Sequence, residues 1–300
     1  MTSATRAVSE AAPAKINLAL HVVGRRPDGY HLIESLSVFT AYGDQVAVAP
    51  APHDAFSLAG PFAGDAPDGR ENLAVRAREA LREVAGYENT PPVLIFLEKN
   101  IPAMAGLGGG SSDAAAVLRA LTRLWKLDLD GAQLSRIGAS LGADVPMCVR
   151  GRPLIARGIG EQIEERAGFP VLRMVLVNPR VPVSTPAVFG ALKSHDNAPL
   201  PPLPQKANDA VLIEWLQATR NDLSEPAAGL APVIGEALAA LRVSGASLAR
   251  MSGSGATCFG LFPSAAAAER AAAIISKQQH DWFVIATETG GSGGPVGVAG

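Results

Sequence analysis

The 300-residue chain predicts an α+β fold in two parts, with a ligand cleft between them. Three observations carry that expectation. Strand-like and helix-like segments follow one another without strict βαβ repetition. A buried strand, a glycine-rich loop and an amphipathic helix succeed each other between residues 93 and 125. Far downstream, a second glycine cluster, Gly253-Ser254-Gly255, joins two further strand-like segments.

In chain order, residues 1–12 are small and polar with one Arg and one Glu, and read as a disordered lead. They lack the basic start and apolar centre of a signal peptide. Residues 16–23 alternate as a strand does. Residues 32–39 and 45–48 read as two more, split by a turn at Tyr42-Gly43-Asp44. Asn72 is placed to cap a helix whose apolar face carries Leu73, Ala77, Leu81 and Val84. Val93-Leu94-Ile95-Phe96-Leu97 reads as a buried strand, and the helix beyond the glycine loop carries Val117, Leu118, Leu121, Leu124 and Trp125 at helical spacing. Another helix, near Leu134, Ile137 and Leu141, is expected to stop at Gly142.

A boundary near residues 160–170 divides the chain into parts 13–165 and 166–288. Residues 171–177 open the second part as a strand. Pro199, Pro201, Pro202 and Pro204 mark an irregular loop. Helices are expected at 209–218 and 233–241, strands at 247–251 and 257–262, an alanine-rich helix opened by Ser264, and a closing strand at 282–286. The glycine-rich residues 289–300 read as a disordered tail.

The net charge of −2 supplies no basic field, and aromatic residues make up 5%, so neither backbone neutralisation nor base stacking of a nucleic acid is favoured. Cys148 and Cys258 stand in unrelated contexts and suggest neither a disulfide framework nor a metal motif; a reducing cytoplasm suits them. No apolar run reaches the length of a membrane span. The isolated histidines His21, His53, His195 and His280 read as surface or strand residues, and Arg25, Arg26, Arg76, Arg78 and Arg82 as solvated faces.

The chemistry concentrates in Pro102-Ala103-Met104-Ala105-Gly106-Leu107-Gly108-Gly109-Gly110-Ser111-Ser112. Glycines let bare backbone approach a ligand, and a helix N-terminus adds unpaired N–H groups and a positive dipole end, which suits phosphate. The loop is not a Walker loop, because no lysine precedes its serines. Nor is it a dinucleotide fingerprint, because Ser111 stands where the third glycine is required. The strand and loop of a protein kinase are also missing. Lys15 and Asp144 are the charged residues that lie among small and apolar neighbours, and both are catalytic candidates.

Three stretches together resemble the GHMP kinases, the family of galactokinase, homoserine, mevalonate and phosphomevalonate kinases. They are Ala12-Pro13-Ala14-Lys15-Ile16-Asn17-Leu18, the glycine loop, and Met251-Ser252-Gly253-Ser254-Gly255-Ala256-Thr257-Cys258, in the family's order. Gly24-Arg25-Arg26-Pro27-Asp28-Gly29-Tyr30-His31, Leu141-Gly142-Ala143-Asp144-Val145-Pro146, Asn178-Pro179 and Thr185-Pro186 resemble a branch acting on a cytidine-diphosphate-linked polyol in isoprenoid precursor synthesis.

The resemblance implies a two-domain architecture with the site in the interdomain cleft, ATP as phosphoryl donor and Mg as its partner. Asp144 would be the base near the acceptor hydroxyl, with Lys15 holding both in place. Residues 102–112 would cradle the phosphates, with Lys99 approaching the nucleotide and Ser112 the hydroxyl nearest the metal, which has no dedicated protein ligand. Asn17, Tyr30, His31, Thr185 and Phe189 would line the substrate side, Tyr30 or Phe189 stacking on the cytosine and His31 hydrogen-bonding it. Taken alone, Tyr30-His31 also reads as a turn closure after Pro27-Asp28-Gly29, and Phe189 as a core residue. Asp113 departs from relatives that carry Asn, and so close to phosphates it is expected to point away from them. The alternatives are another GHMP kinase of homoserine or mevalonate type, or a nucleotide-binding regulator without catalysis; the presence of both Lys15 and Asp144 stands against the latter.

Overall fold

The computed structural model describes residues 7–204 and 208–290. Its strands are β1 (Val8–Arg25), β2 (His31–Pro50), β3 (Ala55–Ala59), β4 (Val93–Glu98), β5 (Leu154–Gly158), β6 (Gln162–Glu165), β7 (Arg173–Asn178), β8 (Leu248–Met251), β9 (Cys258–Phe262) and β10 (Phe283–Glu288). Its helices are α1 (Leu73–Ala85), α2 (Gly109–Leu124), α3 (Gly131–Ala139), α4 (Val145–Arg150), α5 (Thr185–Gly190), α6 (Asp209–Gln217), α7 (Ser224–Leu230), α8 (Val233–Val243) and α9 (Ala265–Gln278). The expected α+β class is what forms. Among the described residues no single helix is long and apolar enough to cross a membrane.

One sheet is built around the β1–β2 pair. β2 pairs with β1 along nearly its whole length, and with β4 and β5 at its two ends; β3 and β6 complete the edges. The second sheet runs β10-β7-β9-β8, all antiparallel. One face of the first sheet packs on α1, α2, α3 and α4 through residues such as Val46, Ile95, Leu118 and Leu121. Ile16, Leu18, Leu36 and Val38 instead share a core with Leu176, Trp215 and Phe259 of the second half. The two halves are therefore joined by a continuous apolar layer, and the β1 residues that alternate with Ile16 and Leu18 are free to serve a site.

Several local expectations form as read. The Asn72 side chain accepts from Ala74 N–H at 2.9 Å, and Ser264 caps α9 by accepting from Ala267 N–H at 3.2 Å. Others are corrected. The 1–12 lead is not all irregular, because β1 starts at Val8 and pairs Val8 with Val48; Glu10 binds Arg119 and Arg123. No turn splits β2 at Gly43. That glycine lies opposite Pro13 at a bulge in β1, where a Cβ would stand 2.3 Å from Ala12 O, so close backbone approach is what requires it. Val84 is exposed, and α3 ends before Gly142, at Ala139. Arg78 and Arg82 are not solvated: both are buried against Asp54, and Arg82 lies over the Trp125 ring. Thr289 and Gly290, assigned to a disordered tail, are bonded into the fold: Thr289 N–H donates to Leu172 O at 2.9 Å and Gly290 N–H to Phe39 O at 2.9 Å; residues 291–300 lie outside the described residues.

Arg250 on β8 ties the halves together. Its guanidinium donates to Leu18 O of β1 at 2.7 Å, to Leu216 O and Thr219 O at 2.8 Å, and to Thr219 Oγ1 at 3.1 Å. Burial lowers its pKa to about 10, so it stays charged at neutral pH while its donors are met by neutral oxygens. Arg250→Ala strips several buried oxygens of their partner and is expected to lower stability by about 3 kcal/mol, read as a reduced urea midpoint.

Candidate active site

The three glycine- and lysine-bearing segments singled out above meet at one cleft of about 1060 Å³. Bulges in β1 lie between Pro13 and Lys15 and between Asn17 and Ala19, and such bulges re-aim side chains. Lys15 and Asn17 face the cleft while Ile16 and Leu18 face the shared core, as strand alternation requires. The glycine loop is stitched to the same strand: Lys15 N–H donates to Leu107 O at 2.8 Å.

Lys15 Nζ lies 2.7 Å from Asp144 Oδ2. The lysine is buried, whereas the Asp144 side chain is 40% exposed. Asp144 is the residue immediately before α4 and its carboxylate does not cap that helix. It is therefore free to meet a ligand while its partner ammonium is held in the wall.

The loop divides into two faces. Met104, Ala105, Gly106, Gly108, Gly109, Gly110 and Ser111 line the cleft, while Leu107 is buried in the shared core. Gly108 precedes α2 in the left-handed region at φ +63°, and a Cβ there would stand 3.4 Å from the Lys15 side chain. Among the described residues no side chain caps α2, whose first return bond is Ser112 N–H to Gly108 O at 2.8 Å. The N–H groups of the first turn thus open on the cleft, and an anion fits that cradle. A Cβ on Gly106, at φ +72°, would lie 2.7 Å from Gly255 O, so the third motif closes directly on the loop.

Besides Leu107, four of the expected nucleotide-side residues, Lys99, Pro102, Ala103 and Ser112, are placed otherwise. Ser112 is buried and its hydroxyl donates to Pro13 O at 2.8 Å, so it does not face the cleft. Lys99 is buried beneath the loop, bonded to Asp44 and, at 2.7 Å, to Asp113 Oδ2. Pro102 and Ala103 border the small cavity above it, with Lys99 and Asp113. Asp113 is buried and turned toward Lys99. Among the described residues no three His, Cys, Asp or Glu side chains converge as a metal cage.

The opposite wall holds the substrate-side candidates. Asn17 Nδ2 donates to Ser35 Oγ at 2.7 Å and Ser37 Oγ at 3.1 Å, which fixes its amide at the cleft floor. Tyr30 is 60% exposed and presents an open ring. His31 stacks on Phe189, with ring centroids 4.8 Å apart and planes 26° from parallel. Burial, with help from His195 and Arg25, holds the His31 pKa below the usual histidine value. Thr185 Oγ1 and Ser254 Oγ are 2.7 Å apart across the rim.

His195, Arg25 and Ser254 also line this cleft. Ser254 was within reach of sequence reasoning, since it sits inside the third motif. His195 was not, because the residue it binds, His31, is 164 positions away.

Residues 72–152 match the family described as GHMP kinases N terminal domain, and residues 208–281 match GHMP kinases C terminal. A 4-diphosphocytidyl-2-C-methyl-D-erythritol kinase of Mesorhizobium japonicum is 57% identical over 278 residues, covering 93% of this chain and 94% of that protein. The protein of the same name from Chelativorans sp. is 54% identical over 278 residues, with the same 93% and 94% coverage. A crystal structure of 4-(cytidine 5'-diphospho)-2C-methyl-D-erythritol kinase superposes with a TM-score of 0.77 at 37% identity, over 94% of this chain and 100% of that one. Homoserine kinase from Cytophaga hutchinsonii shares the fold, with a TM-score of 0.65 at 17% identity, over 97% of this chain and 96% of that one.

The Lys99–Asp44–Asp113 cluster makes stability depend on pH. Among the described residues Asp113 Oδ1 is buried without a partner, and desolvation drives the Asp113 pKa up to about 8, Asp44 adding to the rise against the pull of Lys99. Burial works against the Lys99 ammonium, but Asp113 and Asp44 outweigh it and hold its pKa above the ordinary value. An unfolded aspartate titrates near about 4. The folded chain therefore retains a proton that the unfolded chain has released, so this stabilisation is complete below pH ~4 and lost as pH rises through about 8. Asp113→Asn cannot titrate. Urea midpoints at pH 5, 7 and 9 are expected to fall less steeply for the variant than for the parent chain.

Proposed function

This chain belongs to the GHMP kinase family, and from that footing we propose that it transfers the γ-phosphoryl group of ATP to the 2-hydroxyl of 4-diphosphocytidyl-2-C-methyl-D-erythritol. The reaction is a step of the non-mevalonate route to isoprenoid precursors. The observation that carries the chemistry is the 2.7 Å Lys15–Asp144 pair set in the same cleft as the open N-terminus of α2.

Phosphoryl transfer runs through a loose transition state, so positioning and charge stabilisation dominate the rate. Asp144 Oδ1 accepts the hydrogen bond, and then the proton, of the acceptor hydroxyl. Lys15 orients the carboxylate through Oδ2 and offsets negative charge as it develops on the attacking oxygen. The backbone N–H groups of Gly109, Gly110 and Ser111 hold phosphate oxygens, and Gly106 and Gly108 keep the loop free of side chains that would displace them. Residues 104–106 and 108–111 act together as the cradle, with Lys99 supporting it from below through Asp44 and Asp113. When bound, ATP would supply the phosphoryl group, and a Mg²⁺ accompanying it would offset the charge of the phosphates.

Asn17, Thr185 and the wall of Tyr30, His31 and Phe189 take the cytidine-bearing substrate. With Phe189 already stacked on His31, Tyr30 offers the open aromatic face for the base. With residues 8–165 taken as one catalytic half and 166–290 as the other, both contribute to the cleft. The two free, buried cysteines suit a reducing cytoplasm, where ATP is at hand.

Three acceptors discriminate the readings: the cytidine-linked methylerythritol, homoserine and mevalonate, each assayed for ADP release from ATP. Turnover of the first alone is expected; turnover of either other acceptor in its place overturns the substrate assignment, and no turnover of any of them overturns the kinase. Lys15→Ala and Asp144→Asn are each expected to lower kcat by about 10³-fold while the circular dichroism spectrum stays that of the parent. Near-normal kcat in either variant removes its assigned role.

A further inference from the structure

The base wall contains a contact that the phosphoryl-transfer reading does not use. His31 Nε2 lies 3.1 Å from His195 Nδ1, and the rings sit 4.9 Å apart with planes at 45°. His31 is at the start of β2, and His195 lies in the irregular chain just beyond α5, the helix that also carries Phe189. Both rings line the cleft. His31 is thus held on two sides, by Phe189 against its face and by His195 at its Nε2.

A nitrogen-to-nitrogen bond between imidazoles requires one N–H and one lone pair. The pair can carry one extra proton, but not two, and keep the bond. With Nε2 engaged, Nδ1 is the only ring nitrogen His31 has left for a ligand. If His195 donates, His31 Nδ1 bears the hydrogen and donates to a base; if His195 accepts, His31 Nδ1 is an acceptor. The ligand-reading polarity of His31 is therefore decided by its neighbour. Cytosine and uracil differ in their donor and acceptor pattern at the pyrimidine edge, so that polarity bears on base choice.

We propose that His195 is a positioning and specificity-determining residue that locks the tautomer and orientation of His31, so that the site selects cytosine over uracil in the nucleoside diphosphate substrate. The proposal rests on the reading that His31 contacts the base. The other charged and titratable groups at this wall are Arg25 of β1, the Asp28 carboxylate paired with Arg26 at 2.6 Å, and Tyr30; Lys15 and Asp144 lie elsewhere in the cleft.

The test compares the full-length chain with His195→Ala, His195→Asn and His31→Ala, measuring KM and kcat for the cytidine-linked substrate, its uridine-linked analogue and ATP. His195→Ala is expected to raise KM for the cytidine substrate roughly tenfold and to erode the cytidine-over-uridine preference, with kcat and the KM for ATP changed less than about twofold. Asn places an amide nitrogen near the position of Nδ1 and is expected to restore most of the preference. In the parent, KM for the cytidine substrate rises as pH falls and His31 gains a proton; in His195→Ala this inflection is displaced.

Unchanged KM and base preference in His195→Ala overturn the proposal. So does a parallel loss of kcat and ATP affinity, which marks a merely structural residue. If His31→Ala also leaves the cytidine KM unchanged, the base assignment itself has failed and the proposal falls with it. An effect of His31→Ala with none of His195→Ala removes only the role given to His195.

Discussion

The Ser252 hydroxyl is the contact on which the arrangement of the cleft depends. It accepts from Asn17 N–H at 3.1 Å and donates to Gly106 O at 3.1 Å, so one buried atom joins β1, the glycine loop and the third motif. Neighbouring bonds reinforce it. Thr257 N–H donates to Ala105 O at 3.1 Å, and Asn221 Nδ2 reaches Met251 O and Gly253 O, each at 2.8 Å. Because a buried unpaired polar group is costly, each segment can hold its position only while the other two hold theirs. The glycines at 106 and 253 follow from this approach of backbone to backbone, whereas Gly255 sits at φ +91° with the Met251 side chain against it.

Two lysines flank the same loop and do different work because of what surrounds them. An ammonium leaves water at a cost of several kcal/mol unless it is paired. Lys99 meets that cost with two buried acidic side chains, Asp44 and Asp113, and Asp44 Oδ1 is further held by Ile101 N–H at 2.8 Å. That cluster is closed, and it braces the underside of Gly109, where a Cβ would stand 3.4 Å from Lys99 Nζ. Lys15 has one carboxylate, and that carboxylate opens on the cleft. A substrate hydroxyl can enter the second arrangement and not the first. This asymmetry, rather than the presence of lysine as such, separates the catalytic pair from the scaffold.

The substrate wall is less rigidly specified. Its members come from β2, from α5 and from the chain beyond α5, and they touch through rings rather than through backbone ladders. Such contacts permit a base to be read by side-chain polarity while the phosphate cradle beside it is read by backbone. The division suits a kinase in which every member of the family needs the phosphate site but each acceptor needs its own wall.

The sequence by itself determined whatever depends on near neighbours. The caps at Asn72 and Ser264, the period of α2, the alternation in β1 that sends Lys15 and Asn17 one way and Ile16 and Leu18 the other, and the ordered glycine motifs were all legible there. Only the tertiary structure decided which distant groups meet. It made Gly43 a point of close approach instead of a turn, carried residues 8–12 into the sheet, and buried Arg78 and Arg82 on Asp54. It also drew Lys99 and Ser112 away from the cleft and brought His195 to it. The physical reason is common to these cases. Propensity, capping and periodicity act over a few residues, whereas the partner that neutralises a charge or accepts a hydrogen bond is found across 55 positions for Lys99, 99 for Ser112 and 164 for His31.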